Sequence, residues 1–96
     1  MIKSFATQGT EDIFGGENTK AAQKAARQQV WGAIRRKLDL LNRARDLRDL
    51  RGEGMKLESL DDDRPGYYSI RASDKYRIVF RWVAPDAYDV EVTDYH

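Results

Sequence analysis

A chain of 96 residues and 11.1 kDa has the length of one small domain, and with 41% hydrophobic residues it can bury only a thin core. It has no cysteine and a single histidine, His96, which excludes disulfide frameworks, thiol nucleophiles and histidine-rich metal sites. The formal net charge of +1 conceals an asymmetry, since residues 1–55 carry 11 Lys/Arg against 7 Asp/Glu and residues 56–96 carry 6 against 9.

Between Lys20 and Arg51 there are ten cations and three anions. Such a run suits a polyanionic or acidic partner, or equally a solvated helix face. No apolar stretch approaches the roughly 20 residues of a bilayer span. Met1-Ile2-Lys3-Ser4-Phe5 lacks the apolar run of a secretory signal, so a cytoplasmic protein is expected.

In chain order, Ile2–Phe5 alternates as a short strand would. Thr10–Phe14 reads as one helical turn with Thr10 as N-cap, stopped by Gly15-Gly16. From Asn18, with Thr19 as cap, the spacing of Ala22, Ala26, Val30, Ile34, Leu38 and Leu41 predicts one long helix with these residues on its core stripe. Arg35, Arg36, Lys37 and Arg43 fall off that stripe, towards water, and Gly32 is its weak point. A shorter helical piece follows at Arg45–Leu50, with Gly52 as a left-handed cap.

After Gly54 the period becomes alternating. Met55–Leu60 is an edge strand, and Pro65-Gly66 suits the centre of a type II turn. Tyr67–Ser73 places Tyr68, Ile70 and Ala72 on one side and Tyr67, Ser69 and Arg71 on the other. Tyr76–Val83 places Tyr76, Ile78, Phe80 and Trp82 opposite Arg77, Val79 and Arg81. After a turn at Ala84-Pro85-Asp86, Asp89–Tyr95 closes with Val90 and Val92 on one side. Short connections imply an antiparallel meander with helices on its apolar face, an α+β fold of one domain, 1–96. The other face is expected to be bare, displaying Arg71, Arg77 and Arg81. Truncating Arg77 there should cost little stability.

Arg71 and Arg77 flank one hairpin loop, so their guanidiniums can converge on a phosphate. The alternative is cross-strand pairing with Asp89 or Glu91. Asp94-Tyr95-His96 brings together a proton acceptor, a stacking ring and an imidazole, the side-chain types used in phosphodiester cleavage. In RNA the neighbouring 2′-hydroxyl is the nucleophile, so neither a metal nor a cofactor is required. Strict alternation, however, puts Asp94 and His96 on the side of Val90 and Val92. The strand must end or twist near Thr93 for them to reach Arg77.

Met1-Ile2-Lys3-Ser4-Phe5, Lys56-Leu57-Glu58-Ser59-Leu60, Arg64-x-Gly66-x-x-Ser69-Ile70-Arg71, Tyr76-Arg77-Ile78-x-Phe80 and Asp94-Tyr95-His96 together resemble the HigB toxins of the RelE/ParE superfamily. The resemblance implies a RelE-like fold, with a short N-terminal strand and two helices on a curved antiparallel sheet. It also implies a type II toxin that cleaves mRNA on the ribosome and is inhibited by a helix-turn-helix antitoxin of HigA type. Carried over by motif, the catalytic residues are Arg77, Asp94, Tyr95 and His96, with Arg71 as a second phosphate ligand. Lys56, Arg64, Lys20, Lys24, Arg27, Arg35, Arg36, Lys37 and Arg43 are the expected contacts to RNA and ribosome. Some members have a histidine where Glu58 stands, a lysine near Asp61 and a glycine at Asp62. Asp94, Glu58 and His96 would then divide the proton transfers differently, or the nuclease would be weaker. A ParE-like gyrase inhibitor and a non-catalytic RNA- or partner-binding module are the competing functions.

Overall fold

The change of hydrophobic period at Gly54 divides the fold into a helical layer and a sheet. The computed structural model describes residues 1–94. Among them, α1 (Gln8–Phe14), α2 (Lys20–Ala25) and α3 (Trp31–Arg43) precede β1 (Glu58–Ser59), β2 (Tyr67–Arg71), β3 (Tyr76–Val83) and β4 (Asp86–Asp94). The strands form one antiparallel sheet in the order β1-β2-β3-β4, the expected meander. The helices cover one face, where Ile13, Ile34, Leu38 and Leu41 pack with Ile70, Ile78, Phe80 and Val90, all without solvent exposure. This is the expected α+β arrangement, with three α-helices in place of two. No helix among the described residues is long and apolar enough to cross a membrane.

The extra helix arises because the long predicted helix is broken. Ala26 (φ −162°, ψ 159°) and Arg27 (φ −66°, ψ 137°) are both extended. The backbone groups released there find side-chain partners: Trp31 Nε1 donates to Ala26 O at 2.9 Å, and Arg27 N donates to the Tyr76 hydroxyl at 3.2 Å. Buried backbone groups need such partners, and two aromatic side chains supply them. Ala22, Ala26, Ile34, Leu38 and Leu41 stay buried as expected, and the core stripe changes at one position. Trp31 is buried where Val30 was expected, and Val30 lies half-buried in a 3₁₀ turn, Gln28–Val30. Gly32 sits one residue inside α3, in its first turn.

Two caps also shift. Thr7, not Thr10, caps α1 by accepting from Thr10 N, while Thr19 caps α2 as expected by accepting from Ala22 N. Thr10 is buried, and its hydroxyl oxygen accepts from Val92 N at 3.1 Å. The N-terminal segment forms isolated parallel bridges to β4 at Ile2–Ala87 and Phe5–Val90 in place of a full strand. Together with Thr10 it covers the β4 edge, which would otherwise present unpaired donors and acceptors. Asp46 and Asp49 form a capping box on a 3₁₀ turn, Leu47–Leu50. The left-handed glycine after it is Gly54 (φ 83°), not Gly52. Met55–Leu60 pairs as a strand only at Glu58 and Ser59. The turn into β2 has the expected type II form, with Gly66 at φ 83° and Tyr67 N donating to Arg64 O at 3.0 Å.

Candidate functional site

Register sets the outer face of the sheet, the one away from the helices. Arg71 on β2 stands opposite Arg77 on β3, which stands opposite Thr93 on β4. In the adjacent row Glu58 faces Ser69, Ser69 faces Val79, and Val79 faces Glu91. Both guanidiniums therefore leave the same face from paired positions, as the alternation predicted.

Arg77 is not bare, however. Its side chain is only 9% exposed, and among the described residues Ser69, Lys56 and Glu58 hold it. Nε donates to Ser69 Oγ at 2.9 Å, and Nη2 donates to Lys56 O at 2.5 Å and to Ser69 O at 3.3 Å. Nη2 also lies 3.8 Å from Glu58 Oε1, on a carboxylate that is 56% exposed. The expectation of a bare Arg77 is overturned, and truncation is expected to strand buried acceptors. Two of the acceptors described are backbone carbonyls, and a carbonyl has no sequence signature. Ser69 did lie within the Ser69-Ile70-Arg71 motif.

The Lys56 carbonyl is aimed by its own segment, in which Gly54 has φ 83° and Lys56 φ 50°. Three successive carbonyls are taken there: Gly54 O by Lys37 Nζ at 3.2 Å, Met55 O by Arg71 N at 2.8 Å, and Lys56 O by Arg77. Lys37 Nζ also donates to Arg71 O at 3.1 Å. Thus α3 braces the backbone on both sides of the arginine pair. Burial, then the charges of Arg71 and Arg36, hold the Lys37 pKa below the ordinary lysine value. Arg71 itself pairs with Asp74 in the hairpin loop, and Arg81 Nε pairs with Asp89 Oδ2 at 3.3 Å. Among the described residues, Arg71 pairs with Asp74 and Arg77 lies beside Glu58, where the cross-strand alternative had offered Asp89 or Glu91.

Asp94 is opposite Tyr76, on the side of Val92, so β4 neither ends nor turns over before it. Alternation is kept as the sequence implied, and the twist that Asp94 would need to reach Arg77 does not occur. Tyr95 and His96 lie outside the described residues. Of the remaining predicted cations, Lys20, Lys24, Arg27, Arg36 and Lys56 are exposed. Arg43 is exposed and 3.6 Å from Asp39. Arg64 is exposed over the Tyr67 ring. Arg35 and Lys37 do not form the expected solvated face. Arg35 Nε donates to Ile13 O at 3.0 Å and ties α3 to α1, while Lys37 serves the loop described above.

The meander thus fixes two arginines on one face and is braced from behind by a basic helical layer. Residues 3–96 match the family of RelE-like toxins of the type II toxin–antitoxin system HigB. The chain is 32% identical to endoribonuclease HigB of Proteus vulgaris over 96 residues, the full length of both. It is 40% identical over 55 residues to toxin HigB-1 of Vibrio cholerae serotype O1, covering 56% of this chain and 58% of that relative. The chain belongs to the HigB-like family of type II toxins. Membership implies an antitoxin as partner.

Proposed function

We propose that this toxin is a ribosome-dependent endoribonuclease that cleaves mRNA in the cytoplasm and is restrained by a helix-turn-helix antitoxin of HigA type. The observation that carries the proposal is Arg77: a guanidinium locked on the outer face of the sheet, opposite Arg71 and beside the exposed Glu58 carboxylate. Full-length similarity to a protein named as an endoribonuclease supports it.

The attacking 2′-oxygen belongs to the RNA, so the protein must supply charge and proton transfer. Arg77 is pre-ordered to meet the charge that develops on the phosphorane, and Arg71 adds a second contact once its exposed link to Asp74 is exchanged for phosphate. Glu58 is the carboxylate beside Arg77, and it accepts the 2′-hydroxyl proton. Tyr95 supplies a stacking ring and His96 the leaving-group acid, while Asp94, on the Val92 side of β4, takes no part in these steps. The 2′-oxygen bonds to phosphorus, the bond to the 5′-oxygen breaks, and that oxygen takes the acid's proton. A cyclic phosphate and a 5′-hydroxyl result, with no metal or cofactor in the sequence of steps.

Expression of the chain alone should arrest bacterial growth, and purified protein should cut mRNA on programmed ribosomes but leave gyrase supercoiling untouched. Normal growth at verified soluble expression, or intact mRNA on ribosomes, would refute the proposal.

A further inference from the structure

Along β3 from Arg77, on the same face, a second set of side chains is fixed that the chemistry above does not use. Tyr67, Arg81 and Tyr88 stand opposite one another on three adjacent strands. Arg64, from the turn before β2, lies 4.1 Å from the centre of the Tyr67 ring, and Arg81 lies 4.8 Å from that of Tyr88. Cation and ring thus alternate in a band across the sheet. Tyr67 and Tyr88 keep part of their surface open, and Arg64 is exposed.

Asp89 locks this band. Its Oδ2 accepts from the Tyr67 hydroxyl and from Arg81 Nε, both at 3.3 Å. It reaches both because β4 bulges there: the pairing with β3 slips between Val79 and Arg81, and Asp89 has φ 53°. That left-handed conformation is held by Asp89 N donating to Ser4 Oγ at 2.8 Å. A bulge that re-aims a side chain, and a non-glycine residue at positive φ, are costs that tend to be retained near working surfaces.

We propose that the Arg64–Tyr67–Arg81–Tyr88 band is a stacking subsite for the nucleobases of the mRNA strand that flanks the scissile phosphate. The inference rests on the endoribonuclease reading. Single-stranded RNA is held by aromatic rings and guanidinium planes, and an ordered row of both on an open sheet face offers them without reorganisation. Arg77 and Arg81 are about 13 Å apart at roughly 3.3 Å per residue, within reach of a short extended strand crossing both sites. Asp89 offsets the charge of Arg81, so the band contributes stacking more than phosphate attraction. Every base has a π-face, so the subsite raises affinity with little sequence preference.

The test compares wild type with the Tyr67→Ala/Tyr88→Ala double variant on ribosomes carrying mRNAs shortened stepwise on either side of the cut. With long mRNA the variant should lose about ten- to a hundredfold in kcat/KM, the scale of one or two lost base stacks. The difference should vanish once the flank is removed, and the salt dependence should not change. Tyr67→Phe keeps the ring but removes the hydroxyl that Asp89 accepts from, and should lose less than Tyr67→Ala. Equal cleavage of long mRNA by the double variant would overturn the proposal. So would a loss that persists at every length, which would indicate contact with ribosomal RNA or a structural role. Should the double variant fail to fold, Tyr88→Trp gives an independent measurement. Its fluorescence should be quenched by a short single-stranded oligoribonucleotide beyond any quenching of wild type, and the absence of extra quenching would count against the band. A wild-type protein that cleaves nothing would remove the endoribonuclease reading, while the quenching experiment would still report on the band.

Discussion

On the sheet face Arg77 is held by Ser69, the Lys56 carbonyl and Glu58, Arg71 by Asp74, and Arg81 by Asp89. In the helical layer Lys20, Lys24, Arg27 and Arg36 project into water, while Arg35 and Lys37 spend their donors on main-chain carbonyls. The same residue types therefore stand in three settings: ordered on the sheet face, projecting into water, and bracing the backbone. Charge counted along a sequence merges the three. Only the first can place positive charge against a reacting phosphate, because an exposed, mobile cation must be ordered when the reaction occurs.

The sharpest way to break this comparison is to remove the ordered member. Arg77→Ala should lower mRNA cleavage on the order of a hundredfold to a thousandfold, the usual loss when a preorganised charge is deleted. It should also destabilise the fold by about 1–3 kcal/mol, because Ser69 and the Lys56 carbonyl lose their partner. Thermal melts check the second effect, and cleavage below the melting transition separates it from the first. Arg77→Lys should recover part of the activity, since a point charge cannot reproduce paired donors. An unchanged melting temperature would mean that the bonds around Arg77 carry no stability.

In the helical layer, the largest expected effect comes from a residue with no side chain. A Cβ at Gly9 would lie 2.3 Å from Ala21 O and 2.8 Å from Ala25 Cβ, so α1 and α2 touch there backbone to backbone. Gly9→Ala should cost about 1–3 kcal/mol through overpacking. At temperatures where it remains folded, cleavage should stay near wild type. A cleavage loss as large as that of Arg77→Ala would show that the two regions are coupled more tightly than their contacts imply.

What could be read in advance divides along the same line. Alternation placed Ile70, Ile78 and Phe80 inside and Arg71 and Arg77 together on the other face, because side-chain direction in a strand follows from position alone. The long helix was misread because its break costs nothing in local periodicity. It depends on Trp31 and Tyr76 meeting backbone groups at Ala26 and Arg27, and one of these contacts spans 49 residues. The anchoring of Arg77 was hidden for a similar reason, since a carbonyl aimed by positive φ at Lys56 belongs to the fold. The side given to Asp94 was legible, as alternation had placed it with Val92.

Salt dependence separates the helical cations from one another. If the exposed set attracts ribosomal RNA, each of Lys20→Gln, Lys24→Gln, Arg27→Gln and Arg36→Gln should flatten the log-affinity against log-salt slope by about 1 or less. Arg35→Met and Lys37→Met should leave that slope alone and lower the melting temperature, since their donors serve the backbone. Binding measured across a salt series reads the first effect, and thermal melts the second. A reversed pattern would make the bracing pair the RNA contacts.

The smallest expected effect is a pH dependence at the joint between α1 and α2. Asp12 Oδ2 accepts from Thr19 Oγ1 at 2.6 Å, and the same Thr19 oxygen accepts from Ala22 N to cap α2. Gln8 Nε2 donates to the other carboxylate oxygen at 2.8 Å. The Thr19 bond first and the Gln8 bond second hold the Asp12 pKa below its ordinary value of 3.8. A folded-state pKa below the unfolded one means that the unfolded chain binds the proton first. The stabilisation is therefore complete above the ordinary carboxylate range and is lost as pH falls through the folded value. Asp46, depressed by the Arg48 backbone and side-chain bonds, adds to the same acid limb. Asp12→Asn should thus show a shallower fall in melting temperature between about pH 5 and pH 2 than wild type, with cleavage at neutral pH unaffected. Parallel acid limbs would show that the carboxylate contributes nothing through its charge, leaving the Thr19 cap to stand on its own hydroxyl.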